Sequence, residues 1–317
     1  MKKLLFKSFL LLFPFLLMVG YSEYQLRLVP NSYSVKLSQL RKQADSIKLL
    51  ILGSSHAHHG INPAKFELPA YNMANVSQSL YYDTRIIQQE LNRLKSLKVV
   101  ILPISYFSLE SSPAPSLEEW RYFFYLRFYG IPLPVEVDRY YSVFDLRRYS
   151  LIALYGYQDS RRFFMKRFKK INLAEQVGPD GWYPIDYIPT AVISEETGKQ
   201  RAEFHQAGMA PSNISTNIGY LTTIIELLRR KGVTPVLLTL PVYGTYYSHV
   251  NETSYNTLCR ETAALAAHYG VRYINYFRDS RFDRNDFFDN DHLNRNGATK
   301  LSILLNAEIM SDRFLVK

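Results

Sequence analysis

Two short stretches hold the residue types that can do chemistry. In KLLILGSSHAHHG, Lys48 to Gly60, an apolar run stops at Gly-Ser-Ser, and His56, His58 and His59 follow at once. In FFDNDHLNRNGATKLS, Asp289 and His292 stand three apart with Asp291 between them. A serine hydroxyl is a weak nucleophile that needs a base beside it, and the base needs an acid to orient it. Asp-x-x-His in a turn can supply both. The Asp289 carboxylate can reach round to His292 Nδ1, fix the tautomer and leave Nε2 facing a nucleophile. Asp291, adjacent to His292, is expected to turn its side chain away. Plainer readings stand beside this one: the serine can cap a helix or turn, and Asp289 and Asp291 can cap the helix that follows.

The histidines also raise a metal reading. His56, His58 and His59 together with Asp289, Asp291 and His292 offer enough nitrogen and oxygen donors for a metal-dependent hydrolase. HAHHG lacks the aspartate that a His-x-His-x-Asp-His metallohydrolase requires, and histidines one and two apart in a loop need not converge. The expectation is therefore no metal and no cofactor, with His56 next to the nucleophile able to contact substrate. His205, in AEFHQAG, can line a site or simply pack.

Both stretches need elements to bring them together. IKLLILG, AYNMANV, KVVILPIS, VTPVLLTLPV and VRYINYF read as five short strands, the second weaker than the rest. Helices are expected between them over YYDTRIIQQELNRLKSL, over NIGYLTTIIELLRRKG ending at Gly232, and over TSYNTLCRETAALAAHYG ending at Gly270. A terminal helix follows in NRNGATKLSILLNAEIMSDRF. Such alternation implies right-handed crossovers and a parallel sheet covered on both faces. The serines then lie at the carboxyl end of the first strand, where open α/β sheets place their sites. Between about residues 106 and 212 the rhythm breaks into what looks like a mostly helical insertion, with a helix start near Ser116. Its RRFFMKRFKK, residues 161–170, reads equally as a membrane-resting face or a solvated basic helix.

The N-terminus has Lys2, Lys3 and Lys7 and then no charge from Ser8 to Tyr21. This fits a signal anchor or a signal peptide over residues 1–22, with residues 23–47 as a stalk or first helix and 48–317 as the main domain. MVGYSEYQ offers no small-x-small cleavage site, which favours an uncleaved anchor. Basic residues ahead of the span predict a cytoplasmic N-terminus and the remainder outside. The 317 residues are 47% hydrophobic and 21% charged, enough for a substantial core. The net charge of +10 comes from dispersed residues without a nucleic-acid-binding motif, so anionic lipid or polymer is the expected partner rather than nucleic acid. Cys259 is the single cysteine, which excludes an internal disulfide.

On ILGSSHAHHGINP and DNDHLNRNGATKLS, and on the strand–helix rhythm between them, the sequence resembles the SGNH (GDSL-like) hydrolases. The resemblance implies a flavodoxin-like five-stranded parallel sheet and acyl-ester chemistry through an acyl-enzyme. It makes Ser55 the nucleophile, with Ser54 in the middle of the Gly-Ser-Ser block, His292 the base and Asp289 the orienting acid. The family's second block offers a glycine amide to the oxyanion, and here Ala74 stands in that place. Its third block supplies an asparagine side chain, and here Ser105 or a neighbour replaces it. Loss of such a donor without replacement costs about 2.7–4 kcal/mol of barrier. That departure leaves open a slow enzyme, a different donor, or a catalytically weak glycan-binding scaffold. Membrane-anchored relatives that handle acyl groups on cell-envelope polymers, including the lipoteichoic-acid D-alanylation protein, look like this family with blurred middle blocks. The implied partners are an acyl-bearing glycan or lipid-linked sugar and a membrane-bound acyl donor.

Overall fold

The computed structural model describes residues 2–112, 119–156, 177–186 and 193–311. The expected helix start at Ser116 and the basic stretch 161–170 lie outside the described residues. The chain divides into two compact units, residues 1–35 with 114–175, and residues 36–113 with 176–317.

The second unit holds a five-stranded sheet. Its strands are β1 (Leu49–Ile51), β2 (Ala70–Asn72), β3 (Val99–Pro103), β4 (Thr234–Thr239) and β5 (Arg272–Asn275). The order is β2-β1-β3-β4-β5, and every pairing is parallel. All five expected strands are present, in the flavodoxin-like order. Apolar residues run without a break along β1 and β3 because both faces are covered. Leu49, Ile51, Val99, Ile101, Val236 and Leu238 join one core with Leu301, Leu305 and Ile309 of the last helix. The alternate residues Leu50, Val100 and Leu237 face the other way and are as deeply buried. The helices α4 (Leu80–Glu90) and α8 (Ile214–Arg230) pack against each other and bury Ile86, Ile87, Leu221, Ile224, Ile225 and Leu228. Each fully buried aliphatic side chain contributes roughly 1.5–3 kcal/mol.

Two helices stop where glycine permits a left-handed turn. Gly232 (φ +69°) follows α8, and Gly270 (φ +60°) closes α9 (Glu252–Tyr269). The last helix, α10, spans Arg295–Met310. Between β3 and α8 the described residues form helices and turns: α5 (Trp120–Phe124), α6 (Val135–Tyr140) and α7 (Glu195–Gln206). In the first unit, α1 (Lys2–Arg27) contains a 22-residue stretch, Phe6–Arg27, long and apolar enough to cross a membrane, and its side chains are mostly exposed. It runs on through the segment expected to begin a stalk, and α2 (Ser32–Lys42) follows.

The strand order creates the place for a site. From β1 the chain crosses to one side for β2 and returns to the other side for β3, which opens a crevice at the carboxyl ends of β1 and β3. Gly53 makes the exit from β1. Its φ is +106°, and an added Cβ would lie 2.9 Å from Cβ of Pro103. Its N–H is fixed by Asp83 Oδ1 at 3.1 Å. Gly53→Ala is therefore expected to destabilise the protein by about 1–3 kcal/mol. A lower urea midpoint with unchanged slope would register it.

Candidate active site

Ser55 opens α3 (Ser55–Gly60), the short helix that leaves β1. Ser54 is the residue before it, yet its side chain makes no cap hydrogen bond. Instead its hydroxyl lies 3.3 Å from Ser105 Oγ, at the exit of β3. Asn72, at the end of β2, holds α3 in place by donating Nδ2 to the carbonyls of Ala57 (2.8 Å) and Ile61 (3.0 Å).

From 237 positions away, His292 brings Nε2 to 2.9 Å from Ser55 Oγ. Its Nδ1 lies 2.9 and 3.0 Å from the two oxygens of Asp289. That carboxylate is itself fixed, accepting the backbone N–H of His292 at 2.7 Å and of Asp291 at 3.1 Å. A carboxylate only accepts, so Nδ1 carries the proton and Nε2 accepts from the serine hydroxyl. The helix-capping alternative is taken by another residue: Asn294 caps α10, accepting from Asn296 and Gly297 N–H.

Asp291 departs from expectation. Its side chain does not turn away from His292: it is fully buried, with Oδ1 3.4 Å from His292 Nδ1. It also accepts from Arg201 Nε at 2.9 and 3.0 Å and from His56 Nε2 at 3.1 Å. Burial alone would raise its pKa, but His292, His56 and Arg201 outweigh that and hold it well below the usual carboxylate range. The charge is affordable only because these donors surround it. Burial would likewise pull His292 down, but Asp291 and Asp289 outweigh it and raise its pKa. Two neighbouring imidazoles do not compete for that proton. Burial lowers His56 despite its bond to Asp291. Burial and the nearby His292 bring His59 to about 4.

The same logic orders the protons around Ser105. With Asp291 ionised, His56 donates from Nε2, so its Nδ1 accepts from Ser105 Oγ at 3.0 Å. The Ser105 hydroxyl proton is then engaged, so Ser105, the expected oxyanion donor, already has a partner. The Ala74 amide is engaged as well, donating to Asn72 Oδ1 at 3.0 Å. Helix geometry leaves a donor at the nucleophile itself. Ser55 occupies the first position of α3, so its own N–H has no intrahelical acceptor.

The three histidines of HAHHG do not share a centre. His58 Nδ1 lies 2.8 Å from the Ala74 carbonyl and 2.7 Å from Nζ of the buried Lys36. His59 Nδ1 donates to the Tyr183 carbonyl at 2.9 Å, with its ring 5.7 Å from that of His292. Among the described residues the one cluster with metal-ligand spacing is His56, Asp291 and His292. Its donors do not fit a cation: Arg201 already spans both Asp291 oxygens, and His292 Nδ1 is committed to Asp289. His205 packs behind the site, its Nδ1 2.6 Å from Tyr246 Oη and its Nε2 3.9 Å from Asp291. Arg201, Lys36 and Tyr183 were not foreseen. Arg201 and His205 are four apart on α7 and reach the same carboxylate, a spacing visible in GKQRAEFHQ.

No protein-family model matches the chain, and no curated protein matches its sequence. Solved structures do. A candidate acylhydrolase from Bacteroides fragilis is 11% identical, with a TM-score of 0.42 over 87% of this chain and 97% of its own. A GDSL-like lipase from Bacteroides thetaiotaomicron is 9% identical, with a TM-score of 0.39 over 89% and 99%. A candidate platelet activating factor from Streptococcus is 13% identical, with a TM-score of 0.43 over 86% and 90%. Likeness at this level says nothing of chemistry, so the functional reading rests on the side chains themselves.

Proposed function

We propose that the protein is a membrane-anchored, extracytoplasmic serine esterase or O-acyltransferase that acts on a cell-envelope glycan or a lipid-linked sugar. The observation that carries this reading is the chain of contacts Ser55–His292–Asp289, with each link at 2.9–3.0 Å. Such a chain lets His292 Nε2 take the Ser55 proton as Oγ attacks an acyl carbonyl. The tetrahedral intermediate collapses when His292 returns that proton to the leaving alkoxide. The acyl-serine is then relieved by water or a sugar hydroxyl, deprotonated by the same imidazole. Asp289 and Asp291 stabilise the imidazolium formed in each half-reaction. The envelope setting is supported by the apolar helix α1, which also keeps the domain near a membrane-bound acyl donor.

A fluorophosphonate probe tests the proposal. Wild-type protein should gain the probe's mass on the peptide containing Ser55. Folded protein that stays unmodified would favour a second reading, a catalytically weak glycan-binding scaffold. That reading is motivated by the engagement of Ala74 N–H and Ser105 Oγ with other partners.

The pH profile has a definite sign. His292 works as a base only when neutral, and its pKa is raised above the ordinary 6.5. The kcat/KM should therefore fall on acidification with a midpoint above 6.5, read from initial rates on a chromogenic ester. A midpoint below that value would contradict the two-carboxylate arrangement.

A further inference from the structure

Among the described residues, nine large apolar side chains are exposed apart from those in α1 and Leu28, and seven of the nine lie between residues 120 and 149. The concentration is greatest at Val135, Tyr140, Val143, Phe144, Leu146 and Tyr149, where Phe144 is 85% exposed. Apolar side chains gathered on one exposed segment mark an interaction surface.

The backbone that presents them is fastened. Asp145 caps the turn Leu146–Arg148, Tyr149 Oη donates to the Val143 carbonyl at 2.8 Å, and Arg148 Nε donates to the Ser142 carbonyl at 3.1 Å. Little conformational entropy is left to lose on docking. Several charges of the segment are paired: Arg147 with Asp145 and with Glu119, and Arg148 with Asp138, while Glu136 and Arg139 are exposed. The result is a surface of exposed apolar groups among mostly paired charges.

Its connection to α1 indicates the occupant. Directly after Tyr149, the Ser150 hydroxyl and the N–H groups of Leu151 (2.8 Å) and Ile152 (3.1 Å) donate to the carboxylate of Glu23, near the end of α1. Tyr21 and Tyr24 flank Glu23 on α1 and are exposed, as aromatic residues at a membrane boundary are. We infer that residues 135–149 form a second membrane contact, seated in the interfacial layer of the bilayer that α1 crosses. Lipid headgroups and upper acyl chains are the partner. This rests on the reading of α1 as a membrane span.

Nitroxide labels on the full chain in phosphatidylcholine–phosphatidylglycerol vesicles test it, in a Cys259→Ala background with one new cysteine at a time. Labels at Phe144→Cys and Tyr140→Cys should collide with oxygen several-fold more often than a label at the exposed Ile303→Cys. They should also be shielded from a water-soluble nickel chelate. Labels that meet the chelate as freely as at Ile303 would overturn the proposal. So would labels immobilised and shielded from both quenchers, which would mean that a second copy or another protein covers the patch. A label at Leu11→Cys separates the two readings: chelate access there removes the membrane span itself and the interfacial contact with it.

Discussion

Ser55→Ala is expected to leave a folded protein whose ester turnover has dropped on the order of 10⁶-fold. The hydroxyl accounts for this because nothing near it can replace it. Ser54 points to Ser105, and the Ser105 proton goes to His56, so neither faces His292 Nε2. What survives should be the smaller acceleration that binding and electrostatics give without a nucleophile. The fold should be unaffected, since Ser55 forms no part of the apolar core. Thermal melting alongside steady-state rates checks both halves. A variant that turns over ester at the wild-type rate would remove Ser55 from the mechanism.

The second large effect separates the two aspartates. Asp291→Asn keeps the shape and removes the charge, leaving Arg201 and the His56 Nε2–H without their anion. Breaking a buried pair from one side costs roughly 3–5 kcal/mol. The lower end, about 3 kcal/mol, is expected because a third of the Arg201 side chain reaches solvent and can rehydrate. The acid limb of the rate profile should also move to lower pH, since Asp291 is one of the charges raising His292. Asp289→Asn should also move the acid limb to lower pH, because Asp289 raises His292 too, but it should differ in stability and rate. Its side chain is 35% exposed, so stability should change little. Turnover should fall by up to about 10⁴-fold through loss of the correct imidazole tautomer. Urea denaturation and pH–rate curves on the two variants give the comparison. Matching losses of stability and of turnover would mean that the division between an orienting and a structural carboxylate is wrong.

Much of this was legible in the chain. Five apolar runs separated by helical periodicity specify a parallel α/β sheet, because strands buried on both faces show no alternation. Gly232 and Gly270 mark helix ends because the left-handed turn there suits glycine. Asp289 and His292 could be paired from spacing, since both belong to one turn. Asp291 could not be read this way. Its direction was fixed by Arg201, ninety positions earlier, and by His56, and no local rule sees those partners. The partners of Ala74 and Ser105 could not be read either, for the same reason. Sequence can indicate that a donor sits near a strand end, but not that Asn72 or His56 already occupies it.

The sequence alone determined the class of sheet, the apolar N-terminal helix and the residue types able to act on an ester. Backbone preference and apolar periodicity are local properties, so they can be read in one dimension. Tertiary structure decided which proton each hydroxyl and imidazole holds and which carboxylate is buried. It also decided that the chain just after the exposed apolar segment is fastened to Glu23 near the end of α1. Those outcomes depend on groups far apart in the chain meeting where water is scarce, and there a single hydrogen-bond partner sets the direction of the next.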